Sequence, residues 1–242
     1  MALTKVDKTV IESVNVSDLD TTGTASATTF LRGDNAWASA SAGLNSVKVY
    51  TGADTWTKAT REAALGVTLK TVVVEVQGAG GGGGGGTAGS EGAGGAAGAY
   101  SKKLIDVSSV TSAAIAVGTA GGGGSSSGPT SGAAGGASSW DDTSGGGSST
   151  VSAAGGAGGG GGTGGPGGPS TASGGDINIQ GRGGSYRAGG GAEGADAFMG
   201  VGGTSNDNRI DSVGYGAGGC GANSNNWGLP GMPGLVIVWE YK

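Results

Sequence analysis

From Gly78 to the C-terminus this chain is about one-third glycine, in runs broken mainly by Ala, Ser and Thr. Of its 61 glycines only Gly23, Gly33, Gly43, Gly52 and Gly66 lie before that point. Glycine loses more backbone freedom on folding than any other residue and has no side chain to bury. Such a segment is ordered only where the missing Cβ is itself the packing device. A polyglycine II helix meets that condition, with three residues per turn, ~3.1 Å rise and amides and carbonyls that all point sideways. Neighbouring helices without Cβ atoms approach until these groups pair, helped by weak Cα–H···O contacts. Collagen is excluded, because residues 81–86 are continuous glycine and Gly155-Gly156-Ala157-Gly158 breaks a three-residue register. The stretch Gly164-Gly165-Pro166-Gly167-Gly168-Pro169 suits polyglycine II, since proline prefers the same φ. Interior positions, with Gly159 and Gly165 as examples, are expected to exclude any side chain.

Composition narrows the class further. Aromatics at 5% and charged residues at 13% are too few for an ordinary core of normal size. The charge density is also too low for a typical disordered acidic or basic tail. Net charge is −5, and the 13 Lys and Arg are scattered rather than striped, so no nucleic-acid partner is expected. The single cysteine, Cys220, allows no intrachain disulfide and reads as a small packed residue. No apolar run reaches the ~18–20 residues of a membrane span. The opening residues lack the apolar stretch of a secretory signal, so the protein is expected to be soluble where it is made.

Three parts are read along the chain. Residues 1–45 form an N-terminal attachment or stem segment, with a strand pattern over Thr9-Val10-Ile11-Glu12-Ser13-Val14-Asn15-Val16. Residues 46–77 form a compact β module. Ser46-Val47-Lys48-Val49-Tyr50 alternates, Thr51-Gly52-Ala53-Asp54 turns, and Thr55-Trp56-Thr57 returns. Thr60 is expected to cap a short helical turn that stops at Gly66, and residues 71–76 carry the strongest strand signal. Residues 78–242 form the glycine-rich distal domain. Residues 100–107 and 113–117 are expected to pair as a hairpin, Asp176-Ile177-Asn178-Ile179-Gln180 alternates, and residues 235–241 form a closing strand. The expected fold is mainly β: a small β-sandwich core holds both ends of the glycine-rich segment, from which a polyglycine II bundle projects. The apolar strands alone offer a lone protomer little surface to bury, so a homotrimer covering Phe30, Trp37 and one sheet face is expected.

Two regions resemble bacteriophage tail fibres. Thr28-Thr29-Phe30-Leu31-Arg32-Gly33-Asp34-Asn35-Ala36-Trp37 is similar to a segment common in those proteins. Residues 47–86, with Thr55-Trp56-Thr57-Lys58 and Val72-Val73-Val74-Glu75-Val76-Gln77-Gly78-Ala79-Gly80, resemble the start of their glycine-rich C-terminal domain. Gly231-Met232-Pro233-Gly234-Leu235-Val236-Ile237-Val238 is similar to its closing strand. Residues 59–68 depart from the pattern, since such fibres commonly carry Pro-Gly after the Thr-Lys. The resemblance implies a virion fibre, usually a homotrimer, made in the host bacterial cytoplasm. Its distal domain, similar in design to the adhesins of T-even-like phages, would recognise a bacterial surface polysaccharide or outer-membrane protein. Residues 1–45 would join tail or adaptor proteins. Other readings of the same features are a capsid head fibre or decoration protein, and a polyglycine II ice-binding or structural protein.

Within the glycine scaffold, four side-chain clusters are expected to form turns between helices and to supply the receptor contacts. They are Trp140, Asp141 and Asp142; Tyr186 and Arg187; Asn206, Asp207 and Asn208; and Asn223, Asn225, Asn226 and Trp227. Asn and Asp tolerate left-handed backbone, while rings, amides and guanidinium groups suit sugars and protein loops. Arg32-Gly33-Asp34 lies inside the fibre-like motif and reads as a turn. No enzyme is expected. The chain has no histidine to act as base or ligand, Cys220 has no candidate base, and adjacent Asp141 and Asp142 do not make a glycosidase pair. No cofactor or metal is implied.

Overall fold

The computed structural model describes residues 29–31, 37–39, 43–144, 149–162, 164–187, 192–204, 210–223 and 225–242. The chain divides into two compact units, residues 1–43 and 44–242. In the first, β1 (Thr29–Leu31) pairs antiparallel with β2 (Trp37–Ser39), Phe30 standing opposite Ala38. The strand expected at 9–16 and the Arg32-Gly33-Asp34 turn lie outside the described residues.

The second unit is mainly antiparallel β. Its strands are β3 (Leu44–Tyr50), β4 (Asp54–Thr57), β5 (Thr71–Gln77), β6 (Tyr100–Asp106), β7 (Ser112–Ala116), β8 (Ser138–Asp142), β9 (Thr150–Ala153), β10 (Ala172–Ser173), β11 (Ile177–Ile179), β12 (Gly200–Val201), β13 (Val213–Gly214) and β14 (Leu235–Tyr241). A single helix among the described residues, α1 (Lys58–Leu65), occupies the segment that departs from the fibre pattern. Two five-stranded sheets, in the orders β11-β6-β5-β14-β3 and β10-β9-β8-β7-β4, share one core; β12 and β13 pair separately. The C-terminal β14 lies between β5 and β3, with Val238 opposite both Val74 and Lys48. The expected module 46–77 and the expected glycine-rich domain therefore share one sheet.

Alternation in β5 and β14 turns Val72, Val74, Val76, Val236 and Val238 inward. The second sheet answers with Trp56, Ile115, Trp140 and Val151. The Trp56 and Trp140 rings are wholly buried, 5.2 Å apart and tilted by 52°, a favourable aromatic geometry.

Three local expectations are corrected. Thr55-Trp56-Thr57 does not return onto β3: β4 joins the other sheet beside β7, where Trp56 faces the small Ala113. β6 and β7 do not form a hairpin either. Val107 and Val110 are buried in the core, so the connection carries the chain across it from one sheet to the other. Thr60 lies inside α1 rather than capping it; the helix starts after Thr57. Gly66 ends α1 as expected, at φ 66°, and its N–H donates to the Glu62 carbonyl.

The glycine run 78–86 leaves β5 and is buried throughout. Its N–H groups serve three neighbours in rotation. Gly78, Gly81 and Gly84 donate to Ala99, Ala96 and Ala93; Ala79, Gly82 and Gly85 donate to Gly136, Ala133 and Thr130; Gly80, Gly83 and Gly86 donate to Met232, Leu229 and Asn226. Its carbonyls serve three others. Gly80 and Gly83 accept from Gly121 and Gly124; Ala79, Gly82 and Gly85 accept from Gly156, Gly159 and Gly162; Gly81 and Gly84 accept from Gly219 and Ala222. These bonds span 2.8–3.1 Å. The neighbours that receive N–H groups run antiparallel to 78–86, and those that donate run parallel. Every backbone polar group of this buried run except the ends is thereby paired sideways, as burial requires. A Cβ on Gly82 would overlap the Gly122 carbonyl and one on Gly159 that of Ala93, whereas Gly165 faces open space. The expectation that Gly165 excludes a side chain is corrected accordingly. Cys220 is buried beside the equally buried Ala217 and Ala222.

Candidate functional site

The hydrogen-bond register separates the two ends of the glycine-rich part. Run 78–86 continues from the end of β5, which lies between β6 and β14 in its sheet. At its far end Gly85 donates to Thr130 and accepts from Gly162, Gly86 donates to Asn226, and Thr87 and Ser90 exchange backbone bonds. The turns at 87–90 and 125–130, with the segments that hold Gly162 and Asn226, therefore gather at the end away from the β core.

Two of these turns form the walls of a cleft of about 490 Å³. One wall is Gly123, Gly124 and the hydroxyl-bearing Ser125, Ser126 and Ser127. Trp227, Gly228 and Pro230 form the other. The walls are held in register where the Gly228 N–H donates to the Gly124 carbonyl at 2.8 Å. Trp227 is 66% exposed, and its indole Nε1–H donates to Ser126 Oγ across the cleft. In the serine turn, the Ser125 and Ser127 hydroxyls hydrogen-bond at 2.7 Å, and Thr130 Oγ1 donates to the Ser125 carbonyl at 3.0 Å. In the facing turn Asn225 adopts φ 58°, the left-handed conformation expected of asparagine there. Asn226 Nδ2 donates to Asn223 Oδ1 at 2.7 Å, and both Asn225 and Asn226 are exposed. Among the described residues, no ionisable side chain lines the cleft.

The other sequence candidates are not brought to this cleft. Trp140, Asp141 and Asp142 lie on β8, in the sandwich rather than in a turn of the glycine-rich part. Trp140 is wholly buried against Trp56, so its ring is not available to a receptor. Neither acid is a loop tip: Asp141 Oδ1 accepts from Thr150 Oγ1 at 2.6 Å and Asp142 Oδ1 from the Ser144 N–H at 2.8 Å. Tyr186 and Arg187 are exposed, Tyr186 at 43%, next to Ser185, whose hydroxyl donates to the Glu193 carbonyl. Asn206, Asp207 and Asn208 lie outside the described residues.

Sequence reasoning missed Ser125, Ser126, Ser127 and Pro230. A serine triplet closing a glycine run was the available signal, but nothing in the sequence joins it to a tryptophan 101 residues away. It also missed Phe198, 61% exposed and stacked on Tyr100 at 4.2 Å beside a smaller cleft of about 210 Å³ near the core. Among the described residues, no helix is long and apolar enough to cross a membrane. Neither a family model nor a curated protein matches this chain.

Proposed function

We infer that the chain is the distal, non-enzymatic receptor-binding part of a bacteriophage tail fibre, in which a bundle of polyglycine II helices carries recognition loops away from a β-sandwich. The observation that carries this reading is the three-residue rotation of hydrogen bonds around run 78–86, with six neighbouring segments. Rigid scaffolds that end in exposed loops are where binding residues concentrate. Here the far-end loops present an indole, hydroxyls and amides, groups suited to binding rather than to bond breaking. The likeness of residues 28–37, 47–86 and 231–238 to tail fibres supports the same reading.

The chain acts as a homotrimer in this proposal. Support comes from the outer face of the first sheet, where Val47, Val49, Leu104, Ile177 and Ile179 are exposed together. Residues 1–45 attach it to tail or adaptor proteins, and it is carried on the virion after synthesis in the host bacterial cytoplasm. Immunogold labelling of intact virions with antibody raised against residues 44–242 tests the reading. Gold at the free ends of tail fibres is expected. Gold on the capsid would move the protein to a head fibre, and no virion label would overturn the proposal. Light scattering of the purified chain at micromolar concentration is expected to give the trimer mass, and a monomer would remove that part.

A further inference from the structure

We propose that the cleft between the serine turn and Trp227 binds an uncharged pyranose unit of a bacterial surface glycan, a proposal that rests on the receptor-binding reading above. Its volume of about 490 Å³ falls within the ~300–1,000 Å³ of small-molecule sites. The chemistry of its walls is amphipathic in the way a sugar ring is. One face of a pyranose carries C–H groups, which fit against the exposed indole of Trp227, while its edge carries hydroxyls. Those hydroxyls meet Ser125, Ser126 and Ser127. Ser126 Oγ accepts the indole N–H, which leaves its own proton to donate to a ligand. In the Ser125–Ser127 pair one hydroxyl donates to the other, and the second retains its proton.

Pre-organisation favours the same ligand. The indole is held by its bond to Ser126 and by the neighbouring Gly228–Gly124 backbone bond, so little freedom is lost when a ring stacks on it. Among the described residues the lining is uncharged and provides no counter-ion for an acidic sugar or a phosphate. The net charge of −5 adds no attraction for an anion. A protein loop fits less well. Specific protein interfaces cover ~800 Å² on each partner and centre on well-packed anchor pockets, whereas much of this cleft is bare glycine backbone.

The test uses the full chain and a panel of methyl glycosides of glucose, galactose, mannose and N-acetylglucosamine, read by saturation-transfer NMR and tryptophan fluorescence titration. At least one glycoside is expected to bind, with saturation strongest on the protons of its C–H face. Trp227→Ala should weaken that binding at least ~10-fold. Trp227→Phe, which keeps a ring, should recover part of it, and Val213→Ala, at an exposed position outside the cleft lining, should leave it unchanged. Equal melting temperatures for wild type and variants verify that the fold is retained. Absence of binding by the whole panel, or equal binding by Trp227→Ala, overturns the proposal.

A second arm separates this idea from the adhesin reading. Labelled chain is applied to susceptible bacteria treated with periodate, which cleaves vicinal diols of glycans, or with protease. Loss after periodate and retention after protease are expected. The reverse result, with Trp227→Ala still impaired, identifies a protein receptor and overturns the sugar assignment while the adhesin reading stands. Glycoside binding without any binding to bacteria would uphold the sugar site and overturn the adhesin reading.

Discussion

Trp56 donates its indole N–H to Glu240 Oε1 over 2.9 Å, joining β4 of one sheet to β14 of the other through a fully buried carboxylate. Arg61, from α1, grips the same group with Nε–Oε1 at 2.8 Å and Nη2–Oε2 at 2.7 Å. Burial alone raises a carboxyl pKa. The hydrogen bonds from Arg61 and Trp56 and the guanidinium charge outweigh it and hold Glu240 below the ordinary value.

A depressed carboxyl pKa stabilises the fold above the unfolded value of ~4.3, and this stabilisation is lost as pH falls through the folded value. Urea midpoints of the wild type should therefore drop more steeply below pH ~4 than those of Glu240→Gln. Arg61→Ala leaves a buried acid without its cation and should cost ~3–5 kcal/mol at neutral pH. Similar midpoints for Arg61→Ala and wild type would show that the contact is unimportant.

Trp140 is a core residue, so its replacement should be read in stability rather than in adsorption. Trp140→Ala is expected to cost ~3–5 kcal/mol and to abolish the near-ultraviolet dichroism that arises from its pairing with Trp56. Trp227→Ala should change the melting temperature less, because that side chain is two-thirds exposed and lies outside the core.

Valine scanning of the glycine runs should discriminate positions sharply. Gly82→Val and Gly159→Val force a side chain into a neighbouring carbonyl, an overpacking cost of at least ~1–3 kcal/mol, whereas Gly122→Val and Gly165→Val enter open space. Calorimetry should show large losses for the first pair and small changes for the second. Equal effects in all four would reject the laterally paired bundle.

Tyr50 is pushed up to about 12 by burial, with the charges of Asp54 and Glu240 adding to it. The folded state thus favours the neutral phenol, a stabilisation present below ~10 and lost as pH rises towards about 12. Burial, with Glu75 beside it, also raises Tyr100, so alkaline difference spectra should resolve late-titrating tyrosines, of which one is lost in Tyr50→Phe while Tyr100 remains. Titration of all tyrosines near ~10 would contradict this placement.

Much of the β core was legible because its strands are rich in β-branched residues. Residues 46–50 alternate, 71–76 and 235–241 are near-continuous runs of β-branched and apolar residues, and Gly66 marks a helix end where φ is positive. Sheet membership was not legible, since alternation specifies which face turns inward but not which strand lies alongside. Trp140 misled for a related reason. Its polar neighbours read as a turn in a Ser- and Gly-rich context, yet Ser138 and Trp140 share the inward face of β8 and both are buried.

By itself the sequence determined that the glycine runs must pair sideways: a backbone without Cβ atoms, once buried, has no other way to satisfy its amides and carbonyls. Only the tertiary structure decided which segments surround run 78–86, and hence which turns meet at the far end. The physical reason is that successive glycines offer identical donors and acceptors and carry no side-chain code for a partner. The register is instead inherited from the strands that tether the runs, β5 and β6 at one turn and β14 at the close, and from the turn lengths between them. Ser126 and Trp227 meet because that inherited register brings residues 124 and 228 into hydrogen-bond contact.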